Sequence, residues 1–171
     1  RLTYPLEGTR AMCTTMIRGS AQVVVGACNG EVHMFSVDYL SRGVRNGIEN
    51  YSGITDVKKK EVGEGVIHSL VNYSAESSAN NSVMYSTQDC GIHLWDTRIN
   101  TDSWTLKSVP EEGFVSNLVT DPSGNWFISG SSRGVLTLWD LRLLIPVHTW
   151  GYPSPCHIAN MCLYIPPRHA P

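Results

Sequence analysis

Two strings carry the residue types that suit contact chemistry, Trp95-Asp-Thr-Arg98 and Trp139-Asp-Leu-Arg142. In each, a carboxylate two residues ahead of a guanidinium can cap a turn, leaving the arginine to pair elsewhere. The aromatic that opens each string also has a chemical need. A buried indole N–H must find an acceptor, and Ser86 and Asp89 stand where they could supply a hydrogen-bonded network to Trp95. His33 and His93 each lie two residues before an aromatic, Phe35 and Trp95, a place where Thr137 stands before Trp139. That interchange marks a structural slot rather than a metal ligand. The five cysteines, Cys13, Cys28, Cys90, Cys156 and Cys162, include no Cys-x-x-Cys pair, and Cys156-His157 with Cys162 lacks zinc spacing. No phosphate loop, nucleophile elbow or His-Glu-x-x-His string is present, so catalytic, metal and cofactor residues are all expected to be none.

The elements that must position these residues are hairpins. Residues 126–142 hold an apolar strand, Trp126 to Gly130, a turn at Arg133-Gly134, and a second strand, Val135 to Trp139. The pattern recurs. Trp139 lines up with Trp95 and Phe35; Leu138 with Leu94 and Met34; Leu136 with Ile92 and Val32. At the turn, Gly134 matches Cys90 and Gly30, and Arg133 matches Asp89 and Asn29. Ahead of it, Ser131, Thr87 and Ala27 agree, as do Gly130, Ser86 and Gly26. The intervals are 44 residues from Trp95 to Trp139 and 60 from Phe35 to Trp95. The shorter fits the roughly 40–45-residue WD repeat of a β-propeller, and the longer implies an insertion of about 16. The fold class is therefore an all-β, partial WD-repeat propeller: about three blades and the start of a fourth, at 11–65, 66–112, 113–154 and 155–171. Propellers typically close with 4–8 blades, so the chain reads as part of a larger one. The structural blade signature is Trp95, Asp96, Trp139, Asp140, Asp89 and Phe35. The repeats are degenerate: no Gly-His pair precedes a blade, and Asn29 and Arg133 replace the turn aspartate.

Within the first blade the strands fall at Met12–Ile17, Gln22–Ala27 and Glu31–Val37, with Asn29-Gly30 as a type I′ turn. The most polar stretch follows, Asp38–Gly65, holding a basic insertion (39–65) with Arg42, Arg45 and Lys58-Lys59-Lys60. It is expected to be a solvated loop with a poorly packed outer strand near Ile54–Val57. The second blade takes Val66–Asn72, Val83–Thr87, Ile92–Trp95 and Trp104–Ser108; the third takes Phe114–Thr120, Trp126–Gly130, Val135–Trp139 and Val147–Trp150. A fourth begins with a strand at His157–Tyr164. Cys28 and Cys90 sit at turns where a small apolar residue suffices. Val135-Leu-Thr-Leu-Trp139 is apolar on both faces, which suits a strand sandwiched between neighbouring blades.

Net charge is −2 and pI about 6.3, so no basic field invites nucleic acid. No run approaches the ~18 apolar residues of a membrane span. Cysteine usage reads as a reduced, cytosolic protein. In propellers that serve as substrate receptors of cullin-type ubiquitin ligases, a Trp-Asp-x-Arg string docks the adaptor, making Arg98 and Arg142 possible partner contacts. The plainer reading is that Asp caps the turn and Arg pairs with a neighbouring blade.

One run is more specific than a generic blade. Trp95-Asp-x-Arg98, Ser103-Trp-Thr-Leu-Lys107, Gly113-Phe-Val-Ser116, Gly130-Ser-Ser-x-Gly134 and Trp139-Asp-Leu-Arg-x-x-x-Pro146-Val together resemble the WD-repeat propeller of the regulatory, pseudokinase subunits of class III phosphatidylinositol 3-kinase, in a fungal version. The resemblance covers about 90–150 closely and the first blade loosely. It implies a non-catalytic scaffold that holds a lipid kinase catalytic subunit and a Beclin-type subunit, with a small GTPase as a further partner. It also implies roles in endosomal or vacuolar sorting and autophagy, in the cytoplasm and peripherally on those membranes. The kinase-like domain it implies lies outside this chain. Leu40-Ser-Arg-Gly43 is not the Phe-Arg-Arg-Gly string of phosphoinositide-binding propellers, so direct lipid binding is not expected.

Overall fold

A computed structural model describes residues 6, 8–36, 58–73 and 81–165. Among the described residues, twelve strands build three four-stranded antiparallel sheets, each in simple sequence order. The first holds β1 (Ala11–Met16), β2 (Gln22–Ala27), β3 (Glu31–Ser36) and β4 (Lys58–Glu61). The second holds β5 (Ile67–Tyr73), β6 (Ser82–Thr87), β7 (Gly91–Asp96) and β8 (Asp102–Lys107). The third holds β9 (Val115–Thr120), β10 (Trp126–Ser131), β11 (Val135–Asp140) and β12 (Ile145–Gly151). This is the meander of propeller blades, and the fold is a partial β-propeller.

The sheets stack because their central strands are apolar on both sides. Side chains alternate along a strand, so Val83, Tyr85 and Trp95 turn to the first sheet and join Ile17, Val24, Val32 and Met34. Their neighbours Met84, Ile92 and Leu94 turn the other way, onto Val115, Leu118, Phe127 and Trp139. On the far side of the third sheet the counterparts Ile128, Leu136 and Leu138 are half-buried, where Met84, Ile92 and Leu94 are buried. The paired registers Val23↔Phe35, Val83↔Trp95 and Phe127↔Trp139 repeat the alignment read from sequence. Each inner strand carries one extra residue against its partner, Met12, His68 and Ser116, at the same repeat position.

The turn at Asn29-Gly30 is not type I′. The loop is three residues long, Cys28-Asn29-Gly30, closed by Gly30 N donating to Ala27 O at 3.3 Å, and only Gly30 has positive φ (+82°). This is a type I turn followed by a left-handed residue. The third sheet does the same with Gly134 (φ +81°), and the second with Cys90 (φ +62°). Cys90 therefore holds a glycine's backbone conformation, and the expectation that any small apolar residue suffices there is corrected. A Cβ on Gly30 would meet the Gly65 carbonyl oxygen at 2.7 Å as well as an unfavourable φ. Gly30→Ala should cost about 2 kcal/mol, measured by urea melts. Cys90→Gly should cost little, because relief of strain offsets the lost thiol contact.

Two strand expectations change. The outer strand of the first sheet is Lys58–Glu61, so the lysine triplet is a strand and not a loop, and Lys60 is buried. Ile54–Val57, Arg42, Arg45 and Leu40–Gly43 lie outside the described residues. Residues 157–165 do not form a strand, although Ile158 stands where a fourth inner strand would begin. Its carbonyl accepts from Ser116 Oγ at 2.9 Å, as Val115 O accepts from Ser86 Oγ and Ile67 O from Cys13 Sγ. An inner strand gets its ladder from the second strand of its own sheet, and none pairs with it among the described residues.

Candidate functional site

The two Trp-Asp-x-Arg strings close the third strands of adjacent sheets and form the same device. Asp96 Oδ1 accepts from the Arg98 backbone N–H at 3.0 Å and from Arg98 Nε at 2.9 Å. Asp140 Oδ1 accepts from Arg142 N at 2.8 Å and Leu143 N at 3.3 Å, while Arg142 Nη2 donates to Asp140 Oδ2 at 2.8 Å. The aspartate caps the turn as expected, but the arginine pairs with that same aspartate and not with a neighbouring blade. Spacing explains this: two residues around a tight turn bring the guanidinium back over its own carboxylate. Hydrogen bonds from Arg142 hold the Asp140 carboxyl at about 2, and those from Arg98 likewise lower Asp96. The aspartate side chains are 14% and 17% exposed and the arginines 62% and 72%, so each fork keeps N–H groups facing water. Such a group is competent to take a partner's carboxylate.

The aromatics behind these turns are anchored differently from each other. Trp139 Nε1 donates to Ser129 Oγ at 2.9 Å. Trp95 Nε1 donates to the Ile99 carbonyl at 2.8 Å. The expected Ser86–Asp89–Trp95 network is therefore absent: Ser86 serves the Val115 carbonyl, and Asp89 is exposed in the turn, its backbone N–H going to Glu64 O at 3.3 Å. The acceptor failed because Tyr85, not a serine, occupies the position of Ser129. Phe35 holds the equivalent place in the first sheet.

Sequence reading missed a cluster at the seam between the first two sheets. Lys60, only 10% exposed at its side chain, makes a salt bridge with Asp102. His93 places Nε2 2.9 Å from Glu64 Oε2 and Nδ1 3.3 Å from Asp102 Oδ2. Tyr85 stacks on His93 with centroids 4.8 Å apart and donates its hydroxyl to Asp102 at 3.2 Å. Lys60 lies over the Tyr85 and Trp95 rings at 5.9 and 5.7 Å. Gly91 makes the room, since a Cβ there would run into Glu64 and His93. The signal was available in the repeat: Lys60 stands where the other outer strands have Leu106 and Trp150.

Comparison with known proteins then identifies the relatives. A serine/threonine-protein kinase VPS15 from Arabidopsis thaliana is 65% identical over 168 residues, covering 98% of this chain. The chain is homologous to a segment of VPS15. A probable vps15 kinase of Dictyostelium discoideum is 33% identical over 150 residues, or 87% of the chain. The VPS15 of Saccharomyces cerevisiae is 21% identical over 152 residues, or 88% of the chain. The comparisons do not support the expected fungal version, since a plant protein shares three times the identity that this fungal one does. The chain spans about a tenth of the VPS15 relatives' length, 11%, 8% and 10% respectively. It is not the kinase part of VPS15: it folds as propeller blades and not as a protein kinase. No family model matches the chain. Among solved structures, a chain of a mitotic checkpoint complex crystal structure superposes with a TM-score of 0.67 at 20% identity. The match covers 87% of this chain and 40% of that one, and supports the fold alone.

Proposed function

We propose that this propeller segment is a non-catalytic protein-interaction scaffold in a regulatory subunit of a class III phosphatidylinositol 3-kinase complex. The observation that carries the reading is the 65% identity to VPS15 across 168 residues. Thirty side chains are buried among the described residues, so the shared positions far outnumber the core. The three blades themselves show how little the fold demands, with Tyr85 replacing Ser129 and Lys60 replacing Leu106. Identity well beyond the core is what a surface that meets partners would retain. The partners are then a lipid kinase catalytic subunit and a Beclin-type subunit, with a small GTPase as a further one. The work is done in endosomal or vacuolar sorting and autophagy, on the cytoplasmic side of those membranes, with the membrane met only through the complex.

Arg98 and Arg142 are the proposed partner contacts because they present the same fork from adjacent blades. The test is affinity purification of the full-length protein with mass spectrometry, alongside an Arg98→Ala/Arg142→Ala variant. Recovery of the lipid kinase subunit, reduced in the variant, is the expected result. Recovery of a cullin adaptor without any lipid kinase subunit overturns the reading in favour of a ubiquitin-ligase substrate receptor.

A further inference from the structure

The two seams between described sheets are built on one register and filled with opposite chemistry. At the second seam, Leu106 of β8 occupies the outer-strand position, and Ser129, Thr137 and Pro146 occupy the facing positions on the third sheet. At the first seam the same four places hold Lys60, Tyr85, His93 and Asp102. Glu64, from the segment joining the first sheet to the second, adds a second carboxylate. His93 is 6% exposed at its side chain, and both ring nitrogens face carboxylate oxygens. Only an imidazolium can donate to both. The charge count agrees: Glu64 and Asp102 are balanced by Lys60 and a protonated His93, and are one positive charge short when His93 is neutral.

We propose that His93 is a proton-operated latch between the first two blades. Protonated, it ties Glu64, on the segment joining the two sheets, to Asp102 of β8; neutral, it leaves Asp102 to Lys60 alone and Glu64 without a cation on the ring, and that seam alone loosens. The other groups around the ring do not replace it. Thr105 Oγ1, 3.1 Å from Nδ1, and Thr87 Oγ1, 2.8 Å from Glu64, carry no charge. Tyr85 is kept neutral by burial and by Asp102. Lys107 meets Glu64 only at 3.9 Å from an exposed position, and Lys58 is engaged with the Thr97 carbonyl. Burial would lower the proton affinity of His93, but its bonds to Asp102 and Glu64 outweigh that, and the net direction is upward from 6.5. A histidine raised on folding stabilises fully below its unfolded value, and the contribution fades as pH rises through the folded one.

The test is hydrogen exchange by mass spectrometry on the full-length protein, from about pH 6 to about pH 9, with rates normalised for intrinsic chemistry. Peptides from 58–64 and 91–107 should lose protection several-fold across that range, while peptides from 126–140 stay level. His93→Gln should abolish the pH dependence of the first seam. Lys60→Leu removes the competing cation, holds the proton on His93 more tightly, and should move the transition to higher pH. Seam peptides that track 126–140 at every pH overturn the proposal. So does a pH dependence that survives His93→Gln, or a transition that Lys60→Leu leaves in place.

Discussion

Replacing Trp139 by alanine should lower the stability of the propeller by about 3–5 kcal/mol, the range for emptying a buried large aromatic site. The side chain is 5% exposed and stacks on Phe127 with centroids 5.7 Å apart and planes within 1°. Its indole N–H satisfies Ser129 Oγ, so the substitution also leaves a buried hydroxyl without its donor. Trp95→Ala should be as costly, since Trp95 is 1% exposed and sits at the centre of the first seam. Trp126→Ala should cost about 1 kcal/mol, because Trp126 is half-buried at the entrance of β10, paired with Asp140 beside the turn. Urea melts followed by near-UV circular dichroism of the complete propeller check the contrast. Equal losses at Trp126 and Trp139 would mean that the assigned register is wrong.

That contrast was readable from the chain because register is written in a period of two. A closing aromatic, an apolar residue just before it and another two positions earlier recur at Phe35, Trp95 and Trp139, and a strand has only one way to put the aromatic on one face and the other two on the opposite face. The blades followed from that pattern and from the turn residues. The chemistry of the seams did not. Serine, tyrosine and valine at the equivalent positions Ser129, Tyr85 and Val25 all permit a strand, so the acceptor for Trp95 could not be deduced from spacing. Lys58-Lys59-Lys60 read as solvated because three consecutive charges usually are; alternation hides one of them behind two exposed neighbours. The signal that would have exposed it is comparative within the chain, Lys60 against Leu106 and Trp150. The arginine of each Trp-Asp-x-Arg string was misplaced for another reason. Sequence gives the separation of Arg98 from Asp96, but only turn geometry says that the guanidinium folds back.

Removing the carboxylate of Asp102 is the substitution with the largest expected electrostatic effect. Asp102 is met by Lys60, His93 and the Tyr85 hydroxyl. Alanine there strands Lys60, 10% exposed at its side chain, against the rings of Tyr85 and Trp95 with no counter-ion. Breaking a buried pair from one side costs about 3–5 kcal/mol; about 3 is expected, because a fifth of the Asp102 side chain still meets water. Asp102→Asn keeps the shape and an acceptor for Lys60 and Tyr85, and should recover about half of that loss. The pH response should follow the sign of each shift. Burial alone would raise the Asp102 carboxyl, but His93 and Lys60 bring it below 3.8, so its contribution is present above that value and disappears as pH falls through the folded one. Acid melts of the wild type should therefore steepen below about pH 4, and Asp102→Asn should flatten them. If Lys60→Leu combined with Asp102→Leu restored wild-type stability, the seam would need filling rather than charge, as Leu106 fills the corresponding place against the third sheet. If neither single substitution moved the melt, Lys60 would have to reach water in solution, and the ion pair would carry no stability.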